Sequence, residues 1–232
     1  MTDPTPSPTL SLKECAERLG VHYMTAYKYV RHGKLPATKV GGEWRVSEGD
    51  LEVMLSGAAI PTPRGETDWS GRLEDRLIAG DESGSWSIVE AALASGVPPE
   101  ELHVDVLSVA LRSIGQGWHE GIITIAEEHR ATAVATKIVG RMSNRFTRRG
   151  RHRGRIVIGT PPGERHGLSI AVVADLLRGD GWEVLDLGPD IPIDEFVVAV
   201  EKAGPVSAIA VGVANPNVID GARDLVSTLR AS

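Results

Sequence analysis

The spacing of hydrophobic and polar positions changes along this chain of 232 residues, and each change marks a different kind of structure. Over 9–57, short amphipathic stretches alternate with glycine turns, and the stretch 58–68, rich in Pro, Gly and Thr, is typical of a linker. Residues 69–148 follow the helical period, whereas 153–232 alternates short apolar runs with helical stretches. The pattern predicts a multi-domain protein with these three blocks as its domains.

The first block predicts two helices joined by a tight turn. Ser11 and Glu14 have the spacing of a capping box, at the start of a helix that Gly20 ends, and a second helix is predicted over 23–32. A small hairpin over 39–46 follows. This order of helix, tight turn, helix and hairpin predicts a winged helix-turn-helix.

The middle block predicts four helices and few strands. The fourth helix opens at Thr124, whose spacing from Glu127 is again that of a capping box. Four helices of such lengths in succession predict a four-helix bundle. The predicted helices cover 69–79, 86–95, a segment beginning at Pro98, and 125–146.

The last block alternates strands with helices, which predicts a parallel sheet in a flavodoxin-like, doubly wound α/β domain. Such a sheet usually has about five or six strands. The pattern supplies only three here, so we expect a partial domain. The predicted strands are 155–160, 183–187 and 206–213, and the predicted helices end near 178 or cover 193–202 and 218–229.

Charge is distributed unevenly in a chain whose net charge is -6. Residues 11–45 carry seven Lys and Arg against three acids, and 141–155 carry seven Arg and no acid. A protein that binds nucleic acid over its whole surface is therefore excluded, and any DNA contact must use a local patch. The arginine-rich segment 141–155 is either a solvated joint between domains or an additional set of phosphate contacts.

Single features exclude several other classes of protein. One cysteine, Cys15, excludes a disulfide framework and a cysteine-rich zinc site, and its helical pattern predicts a small core residue. The first ten residues lack the features of a signal peptide, and no apolar stretch approaches the roughly 20 residues of a membrane span. We expect a cytoplasmic protein without membrane contact.

Two groups of residues carry candidate chemistry. Trp118-His119 ends the third predicted helix and Glu128-His129 lies in the first turns of the fourth, so both pairs are expected at one end of the bundle. Each has an ordinary structural alternative, but a carboxylate buried alone there needs a partner, such as a ligand group. Glu164-Arg-His166 follows the first strand, at the sheet edge where ligands bind. An imidazole there can ligate a metal while Glu164 orients its other nitrogen.

The first block closely resembles the winged helix-turn-helix of excisionases and of the MerR superfamily. The resemblance covers about 45 residues and rests on Gly-Gly-x-Trp-Arg in the hairpin and Asp-Leu after it. It implies a double-stranded DNA operator as partner, with helix 23–32 in the major groove. The residues implied to contact DNA are Thr25, Lys28, Tyr29, Arg31, Lys39 and Arg45.

Residues 70–230 resemble the cobalamin-binding module of the CarH/LitR light-responsive regulators. The resemblance rests on Trp118-His119, on Glu128-His129, with nine residues between Trp118 and Glu128, and on Glu164-x-His166-x-x-Ser169, where the family has Gly in place of Ser169. It implies adenosylcobalamin as cofactor and His166 as the lower axial ligand of cobalt. It also implies Trp118 over the upper face, Glu128 and His129 against the adenosyl group, and His119 in the upper position once light breaks the Co–C bond.

The leading hypothesis is a homo-oligomeric transcription regulator, not an enzyme, that senses light or the cobalamin level through adenosylcobalamin. One alternative is a corrinoid carrier for methyl transfer that bears a DNA-binding head. The other is a cobalamin-independent regulator with a degenerate sensor. Gly212 and Ala214 favour this last alternative, because the family usually has Ser or Thr here.

Overall fold

In a computed structural model of the chain, the described residues are 9–21, 23–31, 34–40, 43–56, 67–148 and 150–231, and the side chains of Met24, Thr25, Lys28, Arg31, Lys39 and Glu43 fall outside the description. The helices are α1 (Leu12–Leu19), α2 (Tyr23–Arg31), α3 (Glu48–Leu55), α4 (Trp69–Ala79), α5 (Glu82–Ala94), α6 (Pro99–Glu101), α7 (Ser108–His119), α8 (Ile125–Met142), α9 (Gly167–Gly179), α10 (Ile193–Lys202) and α11 (Ile219–Ala231). The strands are β1 (Thr9–Ser11), β2 (Thr38–Val40), β3 (Glu43–Ser47), β4 (Arg155–Gly159), β5 (Glu183–Asp186) and β6 (Ala208–Val211). None of these helices is long and apolar enough to cross a membrane.

The N-terminal domain packs α1, α2 and α3 with a small antiparallel sheet of order β1-β3-β2. The predicted capping box is present, because the Ser11 side chain accepts from the Glu14 amide and the Glu14 carboxylate accepts from the Ser11 amide at 2.7 Å. Strand β1 was not predicted, since three residues are too few to show a strand period. The core of this domain comprises Leu10, Leu12, Cys15, Ala16, Ala26, Val30, Leu35, Val46 and Leu51.

The helical domain, residues 69–142, buries one shared core from α4, α5, α7, α8 and the turns before α7. Asp81 caps α5, which therefore begins at Glu82 rather than at 86. The predicted helix from Pro98 is continuous but contains a π-helical stretch, Leu102–Leu107, between α6 and α7. A π-helix displaces the backbone ladder by one residue, which sequence spacing alone does not reveal.

The α/β domain has the predicted parallel sheet, in which β4 lies between β5 and β6. One face of the sheet packs on Phe196 and Leu225 from α10 and α11, and the other packs on Ile170 from α9. Helices on both faces explain the continuous apolar run Ile156–Ile158 in β4, which is buried on both sides. Strand β6 is shorter than the predicted 206–213.

A packed interface between α8 and α9 joins the helical domain to the α/β domain. Val172 of α9 belongs to the buried core of the helical domain. His103, in the π-helical stretch, lies 3.2 Å from the Asp175 carboxylate of α9, and both side chains are fully buried. Since His166 directly precedes α9, this interface also positions His166 relative to the helical domain.

Candidate functional site

Glu164 is the centre of the loop between β4 and α9, and its carboxylate is 1% exposed. One carboxylate oxygen accepts the His166 amide at 3.0 Å and a hydrogen bond from His166 Nδ1. The other oxygen accepts the amides of Ala214 and Asn215, both at 2.7 Å. The loop after β6 is thereby fastened to the loop after β4, across the carboxyl ends of two neighbouring strands.

These hydrogen bonds keep Glu164 ionised. Burial of the carboxylate acts to raise its pKa, but hydrogen bonds from Asn215, His166 and Ala214 outweigh that effect. The pKa of Glu164 is thus lowered from its ordinary 4.5 to about 2. A carboxylate that accepts several hydrogen bonds strongly favours its charged form.

The His166 side chain is 62% exposed, although its partner Glu164 is buried. An ionised carboxylate only accepts hydrogen bonds, so Nδ1 of His166 carries the proton and Nε2 keeps its lone pair. A histidine oriented by a carboxylate in this way is the usual arrangement of a metal ligand. The predicted role of Glu164 as the group that orients His166 has the geometry it requires.

The donor set near His166 suits a metal that brings its own ligands. Among the described residues, no three His, Cys, Asp or Glu side chains cluster as a metal site. One imidazole is a poor site for a bare ion, which usually needs three or four protein ligands. It is sufficient for a metal already held in a macrocycle, which needs only an axial ligand. The residues present therefore fit a corrinoid cobalt.

Two residues that sequence reasoning missed shape the same loop. Thr160, buried at the end of β4, donates to the Glu164 carbonyl and accepts the Asp190 amide, both at 2.8 Å. Asp190 has a left-handed φ of 58°, and its carboxylate accepts the Gly163 amide at 2.7 Å. The Gly-Pro-Asp turn at 188–190 was the available signal, since Asp is among the few non-glycine residues that tolerate this conformation.

The second predicted group lies at one end of the helical domain. Trp118 and His119 occupy the last turn of α7 and Glu128 and His129 the first turns of α8, with only a short loop between the helices. Trp118 is 49% exposed, which is unusual for so large an apolar ring. The structural alternative, in which Trp118 is an ordinary core residue, does not describe this side chain, because half of it is open to solvent.

Glu128 does not need a ligand to satisfy its carboxylate. His129 Nδ1 lies 2.6 Å from one of its oxygens, and the Thr132 hydroxyl donates to the other at 2.9 Å. The side chain is 28% exposed and that of His129 is 73% exposed. The partners that a buried carboxylate would need are supplied here by His129 and Thr132 at the domain surface, so Glu128 is neither buried nor alone.

The α/β domain differs from the family's pattern at Ser169 and at the segment from Gly212 to Ala214, and the two differences have different consequences. Ser169 lies exposed in the first turn of α9, one turn from His166. Gly212 has a packing reason, because a Cβ there would lie 2.1 Å from Cδ1 of Ile170. The amide of Ala214 binds Glu164 whatever side chain it carries. Neither Gly212 nor Ala214 is by itself a sign of degeneration.

The predicted DNA-contacting residues lie in the N-terminal domain. Tyr29 is half-buried and packs against that domain's core, and Arg45 is half-buried in the central strand β3. Three arginines of the segment 141–155 have structural partners, which supports its interpretation as a joint. Arg141 stacks over Trp86, Arg153 pairs with Asp180, and Arg155 pairs with Glu183. The side chains of Thr25, Lys28, Arg31 and Lys39 lie outside the described residues.

Comparison with protein families identifies two parts of the chain. Residues 69–142 match the model of the B12 binding domain, and residues 9–58 match that of a helix-turn-helix domain. The first match covers the helical domain and the second covers the N-terminal domain. Together they support a cobalamin-binding module joined to a helix-turn-helix.

Curated relatives point to corrinoid proteins. Trimethylamine corrinoid protein 1 of Methanosarcina acetivorans is 26% identical over 140 residues, which cover 58% of this chain and 63% of that protein. Dimethylamine corrinoid protein 3 of the same organism is 28% identical over 159 residues, 67% of this chain and 73% of that protein. The chain spans less than two thirds of the trimethylamine corrinoid proteins. These are named as corrinoid proteins rather than as enzymes, in agreement with the expectation that this chain is not an enzyme.

A solved structure shares the fold. The monomethylamine corrinoid protein of Methanosarcina barkeri superimposes with a TM-score of 0.61 at 19% identity, over 68% of this chain and 76% of that one. At this identity the likeness concerns the fold alone. The covered share, 68% of this chain, is larger than the helical domain alone.

Proposed function

We propose that this chain is a DNA-binding transcription regulator that responds to a bound cobalamin, with His166 as the lower axial ligand of cobalt. The observation that carries the proposal is the arrangement of His166. Its Nδ1 is held by a buried, ionised Glu164, and its ring is otherwise exposed. This leaves Nε2 available at the carboxyl end of β4, where ligands of such sheets bind.

The helical domain, as a four-helix bundle, supplies the opposite side of the site. The exposed Trp118 offers an apolar plate for the upper face, and the hydrogen-bonded Glu128 and His129 offer polar contacts to an adenosyl group. Ser169 lies one turn beyond His166, and we propose that it contacts the corrin. When bound, adenosylcobalamin supplies a cobalt–carbon bond that light breaks. His119, next to Trp118, is the residue placed to occupy the upper position afterwards.

The signal reaches DNA through the winged helix-turn-helix. A ligand shifts the equilibrium between a DNA-binding state and a state that does not bind DNA only if its affinity for the two states differs. We propose that adenosylcobalamin stabilises a homo-oligomer in which Thr25, Lys28, Tyr29 and Arg31 face the operator while Lys39 and Arg45 contact its backbone. Light, or loss of the cofactor, then releases the DNA.

The test combines a spectrum with DNA binding. Purified protein is incubated in the dark with adenosylcobalamin, and its visible spectrum is recorded before and after green light. In parallel, DNA binding is measured as the retarded migration of a duplex that was selected from a random library. We expect a light-dependent spectral change and loss of retardation, and His166→Ala removes both. The exposed His152 provides the matched control, since His152→Ala leaves both unchanged. A wild-type protein that shows no cobalamin spectrum refutes the proposal.

A second candidate, a corrinoid carrier for methyl transfer, is favoured by relatives that are named as trimethylamine, dimethylamine and methanol corrinoid proteins. Such a carrier must expose the upper face of the cofactor, whereas an adenosyl sensor must cover it. Loading with methylcobalamin and adding a thiol separates the two. Methyl transfer at an appreciable rate in the dark, with no effect of light on DNA binding, supports the carrier.

A further inference from the structure

One hydrogen bond links the DNA-binding domain to the helical domain. The Tyr27 hydroxyl of α2 lies 2.9 Å from the Ser113 hydroxyl of α7, although the residues are 86 positions apart in the chain. Ser113 is buried, at 8% exposure, and Tyr27 is half-buried. The second helix of the helix-turn-helix is therefore docked on the domain that is proposed to hold the cobalamin.

This docking uses the flank of α2. Tyr27 follows Ala26, which is fully buried in the core of the N-terminal domain, so it sits beside the core-facing side of the helix. An α-helix with its side chains is about 10–12 Å across, and the major groove is about 12 Å wide. A helix in the groove thus has DNA along both flanks. With α7 in hydrogen-bond contact at Tyr27, the helix cannot occupy the groove.

The partner helix α7 also carries the predicted cofactor contacts. Trp118 lies five residues after Ser113, about 7.5 Å further along the same helix. Gly117 ties this end of α7 to the following loop, because a Cβ there would lie 2.8 Å from Cδ1 of Ile123. A shift of Trp118 is therefore transmitted to Ser113 through one continuous helix.

We propose that α7 is an internal docking surface that competes with DNA for the recognition helix α2, and that cofactor binding at Trp118 releases Tyr27 from Ser113. This inference rests on the proposed function and names its regulatory contact. While the Tyr27–Ser113 bond is formed, the N-terminal domain is held in a state that cannot bind DNA. Cobalamin then acts by weakening that bond as well as by assembling subunits.

The test removes each hydroxyl in turn. Tyr27→Phe keeps the ring and Ser113→Ala keeps the small side chain, so both variants lose the hydrogen bond between the two hydroxyls. Each is expected to tighten DNA binding of cofactor-free protein by about twofold to twelvefold, the effect of one hydrogen bond. The double variant is expected to bind no more tightly than a single one, because the same bond is lost. Ser108→Ala, another α7 hydroxyl, is the control and leaves DNA affinity unchanged.

Opposite outcomes overturn the inference. Unchanged affinity in both variants shows that the contact does not restrain the head, and weaker binding by Tyr27→Phe alone shows that Tyr27 contacts DNA. As a second measurement, the two cysteines of the double variant Tyr27→Cys/Ser113→Cys are joined to each other by a short bis-maleimide that can be cleaved by reduction. The link is expected to abolish DNA binding until it is reduced, and failure to form it also overturns the inference. A wild type that binds cobalamin and DNA normally while these variants behave as wild type refutes only this inference, whereas absence of cobalamin binding refutes the proposed function.

Discussion

Two of the histidine–carboxylate pairs among the described residues share their chemistry and differ in the burial of the imidazole. In the pair His103–Asp175, both side chains are fully buried between the helical and α/β domains. In the pair His166–Glu164, only the carboxylate is buried, and the imidazole is 62% exposed. The first pair joins two domains, whereas the second presents a free ring nitrogen at the carboxyl edge of a sheet.

The difference shows what makes a histidine a ligand. His103 stacks on Phe146, with ring centroids 4.7 Å apart, and its Nδ1 is buried without a hydrogen-bond partner. No outside group can approach either nitrogen of that ring. His166 is held from the inside by one nitrogen and open on the other. A carboxylate partner is thus not enough for ligation, which also requires an accessible second nitrogen such as that of His166.

Removing the carboxylate of the buried pair is expected to have the largest effect. Asp175→Ala leaves the imidazole of His103 without the hydrogen-bond partner described for it and also removes an acceptor from Ser143 and Arg178. Breaking a buried pair of this kind costs about 3–5 kcal/mol in the free energy of unfolding. Urea denaturation of the variant and of wild type measures this loss in the free energy of unfolding. Asp180→Ala, at the exposed end of the same helix, is the control and costs at most about 1 kcal/mol. A loss for Asp175→Ala no larger than that control contradicts the role of the pair.

The carboxylate of the exposed pair makes stability depend on pH. The pKa of Glu164 is about 2 in the folded protein against an ordinary 4.5, so its contribution is complete above 4.5 and is lost as the pH falls towards 2. The full contribution is about 3 kcal/mol. Urea denaturation of wild type and Glu164→Gln between pH 2 and pH 6 tests this, because only the difference between the two curves belongs to Glu164. If the free energies of unfolding of the two proteins change in parallel over this pH range, the predicted contribution of Glu164 is refuted.

The smallest effect on stability is expected for the exposed imidazole. His166→Ala leaves Glu164 with three backbone donors, and exposed substitutions change the free energy of unfolding by about 0.5 kcal/mol. His103→Ala, which empties a fully buried site, is expected to cost several times more. Thermal unfolding compares the two. Equal losses mean that the pairs differ only in exposure and that His166 is structural.

Much of the fold follows from short-range patterns. The capping boxes at Ser11 and Thr124 and the bounds of α4 agree with the sequence predictions. The predicted alternation of strands and helices also gives the parallel sheet. These features depend on contacts within four residues or on the period of apolar positions, both of which are visible in a sequence. The Glu164–His166 pair belongs here too, since its members lie two residues apart.

Other features required partners from distant parts of the chain. Strand β1 exists because β3 pairs with it, and Glu164 is ionised partly because amides 50 and 51 residues later donate to it. Asp175 meets His103 across 72 residues, and Tyr27 meets Ser113 across 86. No local period encodes such meetings, and the exposure of Trp118 was not foreseen for the same reason.

The sequence by itself determined the order of the elements, the division into domains and the residue types able to hold a corrinoid. These depend on local hydrogen bonding and on apolar periodicity, which act over a few residues. The tertiary structure alone decided which histidine keeps a free nitrogen and which helix the DNA-binding head rests on. Both depend on which surfaces exclude water when distant segments pack, and that is a property of the folded chain rather than of any short stretch of it.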